Sequence, residues 1–273
     1  MRCRLYDRRI SAPLSITVIT PCLNARSTIE RALRSVEEQA YEHVEHVVID
    51  GGSSDGTLEL LAEYPKLVVQ SGPDTGLSDA MNKGIARATG DVVGWLNADD
   101  FYLPGALRRV ADAFAGSPDA RWATGICPIV DANDREVRQL VTAYKRFLLR
   151  HYSYGLLLTQ NFVAAPATFV KRDELERLGG FEERFRYSMD YDVWLKLGKR
   201  CAPVFIDAPL AAFRMAEGSL SMSGFERQFS EHAQNASEHG EGHPLAVAAN
   251  RVTSRVIVAI YKALRAIRRV RSR

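Results

Sequence analysis

Asp91-Val92-Val93-Gly94-Trp95-Leu96-Asn97-Ala98-Asp99-Asp100 is an apolar, strand-like run that ends in acidic residues. Open α/β sheets bind their ligands outside the carboxyl ends of the strands, and a hard divalent cation takes oxygen ligands. The run therefore points to a metal-diphosphate site, although a strand entering an Asp-rich turn would read the same way. Two further strand ends favour the first reading. Val47-Val48-Ile49-Asp50 leads into Gly51-Gly52-Ser53-Ser54-Asp55-Gly56-Thr57 and then the helical Leu58-Glu59-Leu60-Leu61, so a glycine turn and a helix start bring backbone N–H groups to an edge. Ser15-Ile16-Thr17-Val18-Ile19-Thr20 runs into Pro21-Cys22-Leu23-Asn24, after which Ser27-Thr28-Ile29-Glu30 has the spacing of a capping box.

The set Thr20-Pro21-Cys22-Leu23-Asn24, Asp50 to Thr57, Asp79-Ala80-Met81-Asn82-Lys83-Gly84, Asn97-Ala98-Asp99-Asp100, Gly179-Gly180-Phe181 and Asp190-Tyr191-Asp192 resembles the family 2 glycosyltransferases. These are inverting enzymes of the GT-A fold that use nucleotide-activated sugars. The motifs occur in the family's order over roughly residues 14 to 221, and their combination is specific where each alone is weak. The resemblance implies a Rossmann-like α/β fold, a mixed, mostly parallel sheet flanked by helices, with a donor half at about 14–100 and an acceptor half at about 101–220. A polar segment and a basic C-terminal helix follow over 221–273.

Composition agrees with that class. A chain of 273 residues can bury one large α/β core, and a net charge of +3 does not imply nucleic acid as a partner. The four cysteines, Cys3, Cys22, Cys127 and Cys201, show no C-x-x-C spacing and read as reduced thiols in a cytosolic protein. No apolar run reaches the roughly 18 residues that cross a bilayer. Strands are expected at 15–20, 44–49, 67–70 and 91–96, with helices near 27–40, 57–64 and 78–89. Pro104 is expected to open a helix through Phe114. Trp122 to Val130 and Glu136 to Thr142 read as strands around an Asp131-Ala132-Asn133-Asp134 turn.

Sugar transfer from a nucleoside diphosphate needs one general base, because a metal ion can stabilise the leaving group. By resemblance that base is Asp190, here preceded by Met189 where the family often has Glu. Asp192 is the rival, with a helix cap or ion pair as its alternative role. On the donor side the resemblance assigns the pyrimidine imide to Asp50 and the nucleotide loops to Pro21, Asn24, Ser53 and Asp55, although Asn24 and Asp55 also suit helix capping. Asp79 and Lys83 would border the diphosphate and donor sugar, and at one helical turn apart they also suit an ion pair. Asn97, in place of the commoner aspartate, can bind a ribose hydroxyl but brings no charge. Asp99 is then the ligand of Mn²⁺ or Mg²⁺, with Asp100 behind it. Gly180 and Phe181 fall on the acceptor side, and Arg214, ahead of Gly218-Ser219-Leu220-Ser221, is expected to reach the diphosphate from a flexible segment.

Two other classes stay open. A sugar-phosphate nucleotidylyltransferase would need a glycine-rich phosphate loop that Pro21-Cys22-Leu23-Asn24 does not supply. A non-catalytic carbohydrate-binding protein on the same fold would fit Asn97 and Met189. The expected partners are a nucleotide sugar, UDP-sugars first, and a saccharide or lipid-linked acceptor. His232, His239 and His243, near Gly240, Gly242 and Pro244, read as solvated loop residues. Val252, Val256, Ile260, Leu264 and Ile267 recur at helical spacing among arginines, with no acidic residue after Glu241. Such a helix suits an anionic membrane surface at the inner face of the plasma membrane, or packing on protein through the same stripe.

Overall fold

The computed structural model describes residues 13–215 and 224–271. Cys3, the Gly218-Ser219-Leu220-Ser221 stretch and the side chains of Leu264 and Ile267 lie outside that description. The chain opens with Ile16–Cys22 (β1), Ile29–Glu37 (α1), Val44–Asp50 (β2), Thr57–Leu61 (α2), Val68–Ser71 (β3), Leu77–Arg87 (α3) and Val92–Trp95 (β4). All seven residues of β1 are buried, as expected for a strand covered on both faces. Its neighbour β2 shows the two-residue period. Val48 packs with Ile29, Leu33 and Leu61 of α1 and α2, whereas Val47 and Ile49 pack with Met81 and Ile85 of α3.

β1 pairs parallel with β2 on one side and β4 on the other, and β2 pairs parallel with β3. In register, Cys22 lies opposite Asp50, Asp50 opposite Ser71, and Ile19 opposite Trp95. The loops after β1, β2 and β4 therefore leave the sheet along one edge. Helix α3 sits close on β1, since a Cβ at Gly84 would come 2.4 Å from Ile19 Cγ2.

The second half follows with Phe101–Tyr102 (β5), Ala106–Gly116 (α4), Trp122–Ile126 (β6), Ile129–Val130 (β7), Glu136–Val137 (β8), Gln139–Arg150 (α5), Tyr154–Thr159 (α6), Thr168–Lys171 (β9), Arg172–Leu178 (α7), Met189–Gly198 (α8), Val204–Pro209 (β10), Ala211–Arg214 (β11), Phe225–His239 (α9) and Pro244–Arg271 (α10). Antiparallel β9 is inserted between β4 and β6, giving a mixed seven-stranded sheet in the order β10-β6-β9-β4-β1-β2-β3. A small sheet, β5-β11-β7-β8, stands beside it. Trp122 of β6 stacks on Trp194 of α8 with centroids 5.8 Å apart and planes 3° from parallel, which fastens α8 to the main sheet.

Several expectations are corrected. No capping box forms at Ser27, because helix α1 starts at Ile29 without a side-chain cap. The loop amides of Ala25 and Arg26 instead donate to Thr57 and Asp55 of the next loop, and Glu30 pairs with Arg34. Pro104 precedes its helix, which begins at Ala106 after Gly105 in the left-handed region. The strand expected over Glu136 to Thr142 stops at Val137, since Arg138 at φ +56° turns the chain into α5. Two of the three histidines are not solvated: His232 is buried on α9 between Tyr191 and Phe229, and His239 pairs with Asp192, whereas His243 is exposed in the loop after α9, as expected, with its ring edge-on to Tyr154. Part of the polarity of α9 serves packing, since Glu231, Asn235 and His239 bond Tyr187, Ser188 and Asp192. The stripe of α10 is not its packing face either. Val252, Val256 and Ile260 are exposed while Asn250 and Ser254 are buried.

Strand β4 tests how tightly the sheet centre is filled, because a Cβ on Gly94 would lie 2.5 Å from Phe169 and 2.7 Å from the Tyr102 hydroxyl. Gly94→Ala should lower stability by about 1–3 kcal/mol. Urea unfolding should show a lower midpoint at unchanged slope.

Candidate active site

The edge is built first from two interlocked loops. Asn24, at φ +50°, donates its amide to Ser53 Oγ (2.7 Å) and accepts the Ser54 amide on Oδ1 (2.9 Å). Asp55 accepts the Arg26 and Thr57 amides (3.0 and 3.1 Å) and the Thr57 hydroxyl (2.5 Å), so it ties the loop after β2 to the loop after β1. Asp50 is fully buried. Its carboxylate accepts from the Gly52 and Ser53 amides (both 3.0 Å), Ser71 Oγ (2.7 Å) and Ser53 Oγ. Burial works to raise its pKa, yet the hydrogen bonds from Ser53, Ser71 and the two amides outweigh burial and hold it below its usual range. Pro21 is the penultimate residue of β1, and Ser71 is a contributor that no sequence motif announces.

The acidic turn follows β4. Trp95 Nε1 donates to Asn97 Oδ1 (2.7 Å), and Asn97 Nδ2 donates to Asp100 Oδ2 (2.9 Å). Asp100, fully buried, also accepts the Arg214 amide (2.9 Å) on its other oxygen. Among the described residues, no hydrogen bond from another residue is seen at the Asp99 carboxylate. Burial raises the pKa of Asp99 against the opposing Arg214 charge, and burial followed by the Asp99 charge raises that of Asp100 well above its usual range. Two neighbouring carboxylates are thus short of positive charge, a donor set that fits a divalent cation with Asp99 outermost. No group of three or more His, Cys, Asp or Glu side chains converges as a cage among the described residues.

Arg214 stands on a strand and not in a flexible segment. It lies opposite Val130 in β7, and its guanidinium donates to the carbonyls of Asp99 (3.1 Å) and Ala132 (3.0 Å) and pairs with Asp134 (2.5 Å). The hairpin turn and the acidic turn are thereby fastened to each other.

The two carboxylates of α8 differ sharply. Asp192 is fully buried and engaged by Lys196 and His239, each at 2.8 Å. Burial opposes its ionisation, but those partners outweigh burial and keep its pKa low. Asp190, partly accessible in the first turn, accepts among the described residues its neighbour's amide, Tyr191 (2.7 Å), and Asn161 Nδ2 (3.3 Å). Burial raises its pKa, with Tyr191, Asn161 and the Lys145 charge acting against it. Lys145, on the inner side of α5, is lowered by burial and opposed by Cys127 and Asp190, while Cys127 in turn feels Asp100.

Helix α9 holds the approach to Asp190. Glu231 accepts the Tyr187 amide (2.8 Å) and Ser188 Oγ (3.2 Å), and Asn235 Nδ2 donates to Ser188 Oγ (2.9 Å). Sequence reasoning missed Lys145, Asn161, Glu231 and Asn235. For Lys145 the signal was the helical spacing after Arg138; the others carry no local signature.

Lys83 pairs with Asp79 (2.9 Å) and donates to the Pro73 carbonyl (2.9 Å), while Asp79 accepts the Thr75 amide (3.0 Å). Gly179 and Gly180, at φ +78° and +75°, close α7. A Cβ on Gly180 would lie 2.3 Å from Asn82 Oδ1, which accepts the Phe181 amide (2.8 Å). Phe181 is buried edge-on against Trp95 at 5.4 Å. It forms the floor under the acidic turn and does not present its ring at the surface.

The sequence pattern of Glycosyl transferase family 2 matches residues 17–176. An uncharacterized glycosyltransferase of Mycobacterium tuberculosis is 32% identical over 209 residues, which cover 74% of this chain and 76% of that protein. TuaG of Bacillus subtilis, named for teichuronic acid biosynthesis, is 26% identical over 212 residues, 76% of this chain and 81% of that one. Residues 1–349 of S. aureus TarS, solved with UDP-GlcNAc, superpose with a TM-score of 0.63 at 19% identity over 81% of this chain and 66% of theirs. The Pyrobaculum calidifontis mannosyltransferase PcManGT, solved with GDP-Man and Mn²⁺, gives 0.60 at 20% over 92% and 80%. The chain spans 39% of the longer TarS chain. The structural likeness shows the fold, which is GT-A.

Because the Asp190 pKa is raised above its ordinary 3.8, the stability it contributes is full below that value and lost as pH rises through the raised one. Asp190→Asn should accordingly melt above wild type at pH 7, with the gain shrinking under acid. A variant melting below wild type at neutral pH would show that Asn161, Tyr191 and Lys145 more than offset burial.

Proposed function

Because the chain belongs to glycosyl transferase family 2, we propose that it is an inverting hexosyltransferase acting from a nucleoside-diphosphate sugar, a UDP-sugar first, on a hydroxyl of a saccharide or lipid-linked acceptor in cell-envelope glycan synthesis. The observation that carries this reading is the division of labour among carboxylates. Asp50, Asp55, Asp79 and Asp192 have strong donors or cations on them, while Asp99 and Asp190 remain undercompensated at the site. The neighbours solved with UDP-GlcNAc and with GDP-Man support a nucleotide-sugar donor, and TuaG's name supports the envelope assignment. The domain divides into a donor half at about 14–100 and an acceptor half at about 101–220, with residues 221–273 following. Free thiols at Cys22, Cys127 and Cys201 fit a reducing, cytosolic setting.

In this reading Pro21, Asn24, Ser53 and Asp55 shape the nucleotide loops. Asp50 takes the pyrimidine imide N–H on the lone pair that Ser53 Oγ now occupies. Asn97 faces the ribose, and Asp79 with Lys83 borders the diphosphate and donor sugar. Arg214 adds positive potential beside the acidic turn, and Gly180 with Phe181 shapes the acceptor side. Asp99 would hold Mn²⁺ or Mg²⁺, which supplies charge to a leaving diphosphate. Asp190 receives the acceptor hydroxyl proton as the new bond forms on the sugar face opposite the departing diphosphate. The raised pKa makes it a better base than an ordinary aspartate, and Asn161 orients it.

Release of nucleoside diphosphate from UDP- and GDP-sugars, with and without acceptor, tests the activity. Asp99→Ala and excess chelator should each abolish turnover with the fold retained. Full activity under either condition would remove the metal role. Asp190→Asn should slow turnover by about 10²–10⁴-fold at near wild-type nucleotide affinity. Should Asp192→Asn give that pattern instead, the base is Asp192.

A further inference from the structure

Eight of the eleven large hydrophobic side chains exposed among the described residues lie on two helices, α5 and α10. On α5, Leu140, Tyr144 and Phe147 recur at i, i+4 and i+7, while Leu148 and Leu149 of the same helix are buried. On α10, Val252, Val256 and Ile260 form an outward stripe. Asn250, on the opposite face, is anchored by donation to the Leu158 carbonyl (2.9 Å). The two helices meet. Arg138, at the start of α5, donates to the Tyr261 hydroxyl (2.8 Å), and a shallow cavity of about 600 Å³ lined by Glu136, Arg138, Gln139, Leu140, Val141 and Tyr261 lies between them.

Charge says what covers this surface. Neither residues 139–150 nor residues 244–273 contain an acidic side chain, and the second stretch holds Arg251, Arg255, Lys262, Arg265, Arg268, Arg269, Arg271 and Arg273. Lys262 pairs with Glu226 (3.0 Å), and on α5 Arg146 and Arg150 are held by Asp207; the remaining excess is one-signed. Apolar stripes flanked by a net excess of cations, with Glu136, Asp207 and Glu226 the anions beside them, match the boundary of an anionic bilayer, where apolar side chains enter the acyl region and cations near the surface add attraction. We propose that α5 and α10 together form one surface that docks the protein on an anionic lipid bilayer.

Flotation of the full-length chain with vesicles of phosphatidylcholine, with and without phosphatidylglycerol, tests the surface. Truncation would strip Asn250 from the core, so the variants are Leu140→Asp with Phe147→Asp, and separately Val256→Asp with Ile260→Asp, each repeated with Ser. Wild type should float only with phosphatidylglycerol and be weakened by high salt, and each pair of Asp substitutions should weaken binding by about tenfold or more. The Ser pairs should weaken it less, and melting temperatures should stay near wild type. Wild type that fails to float overturns the proposal, and α5 variants that float like wild type overturn the joint surface. A lipid-independent dimer that either pair dissolves would assign the face to a second copy. Flotation without any nucleotide-sugar turnover would instead sink the transferase reading and leave the docking intact.

Discussion

Parallel pairing of β1 with β2 and β4 constrains everything built at the site. Three strands end at one edge in a fixed register, so the loops that leave them must share space and satisfy each other's amides. The interlock of Asn24 with Ser53 and Ser54, and of Asp55 with Arg26, is the local answer to that crowding. Asp50 sits at the centre of it. A buried carboxylate is tolerable there only because amides and hydroxyls from two strand ends converge on it.

Beyond that edge, the carboxylates are sorted by what their surroundings supply. Asp192 and Asp190 are two residues apart on one helix, yet Lys196 and His239 neutralise the first while the second keeps a raised pKa. Position on α8 alone does not separate them. The separation comes from α9, which brings His239 beside Lys196 onto Asp192, and from burial at Asp190 that Asn161 and Tyr191 only partly offset. Perturbation of this kind marks groups poised for proton transfer, and structural ion pairs such as Asp192 are its background.

The sequence carried the first hundred residues well for a physical reason: strands buried on both faces are continuous apolar runs, and the turns after them need glycine, asparagine and aspartate. The second half was harder. Val141 and Thr142 are β-branched and favoured a strand, against the helical spacing of Leu140, Tyr144 and Phe147, and nothing local says that the apolar face so formed points outward. Polar residues of Phe225–His239 looked solvated because their partners, Ser188, Tyr187 and Asp192, are 44 to 47 positions away. Asn161, 29 residues from Asp190, is invisible to any window short enough to show periodicity. The acidic turn was readable as a motif, but its shortage of positive charge emerges only when Asp100 is buried.

The clamp of α9 and α10 on α8 also bears on how the chain is made. Ser188 and Asp192 depend on Asn235 and His239, and the Tyr191 hydroxyl shares the Leu158 carbonyl with Asn250. Domains form progressively as they leave the ribosome. The partners of Asp50 lie in its own loop and at Ser71, whereas those of α8 extend to residue 250. A nascent chain therefore holds the partners of Asp50 long before those of Asp192, and translation that stalls before residue 235 leaves Ser188 and Asp192 without Asn235 and His239.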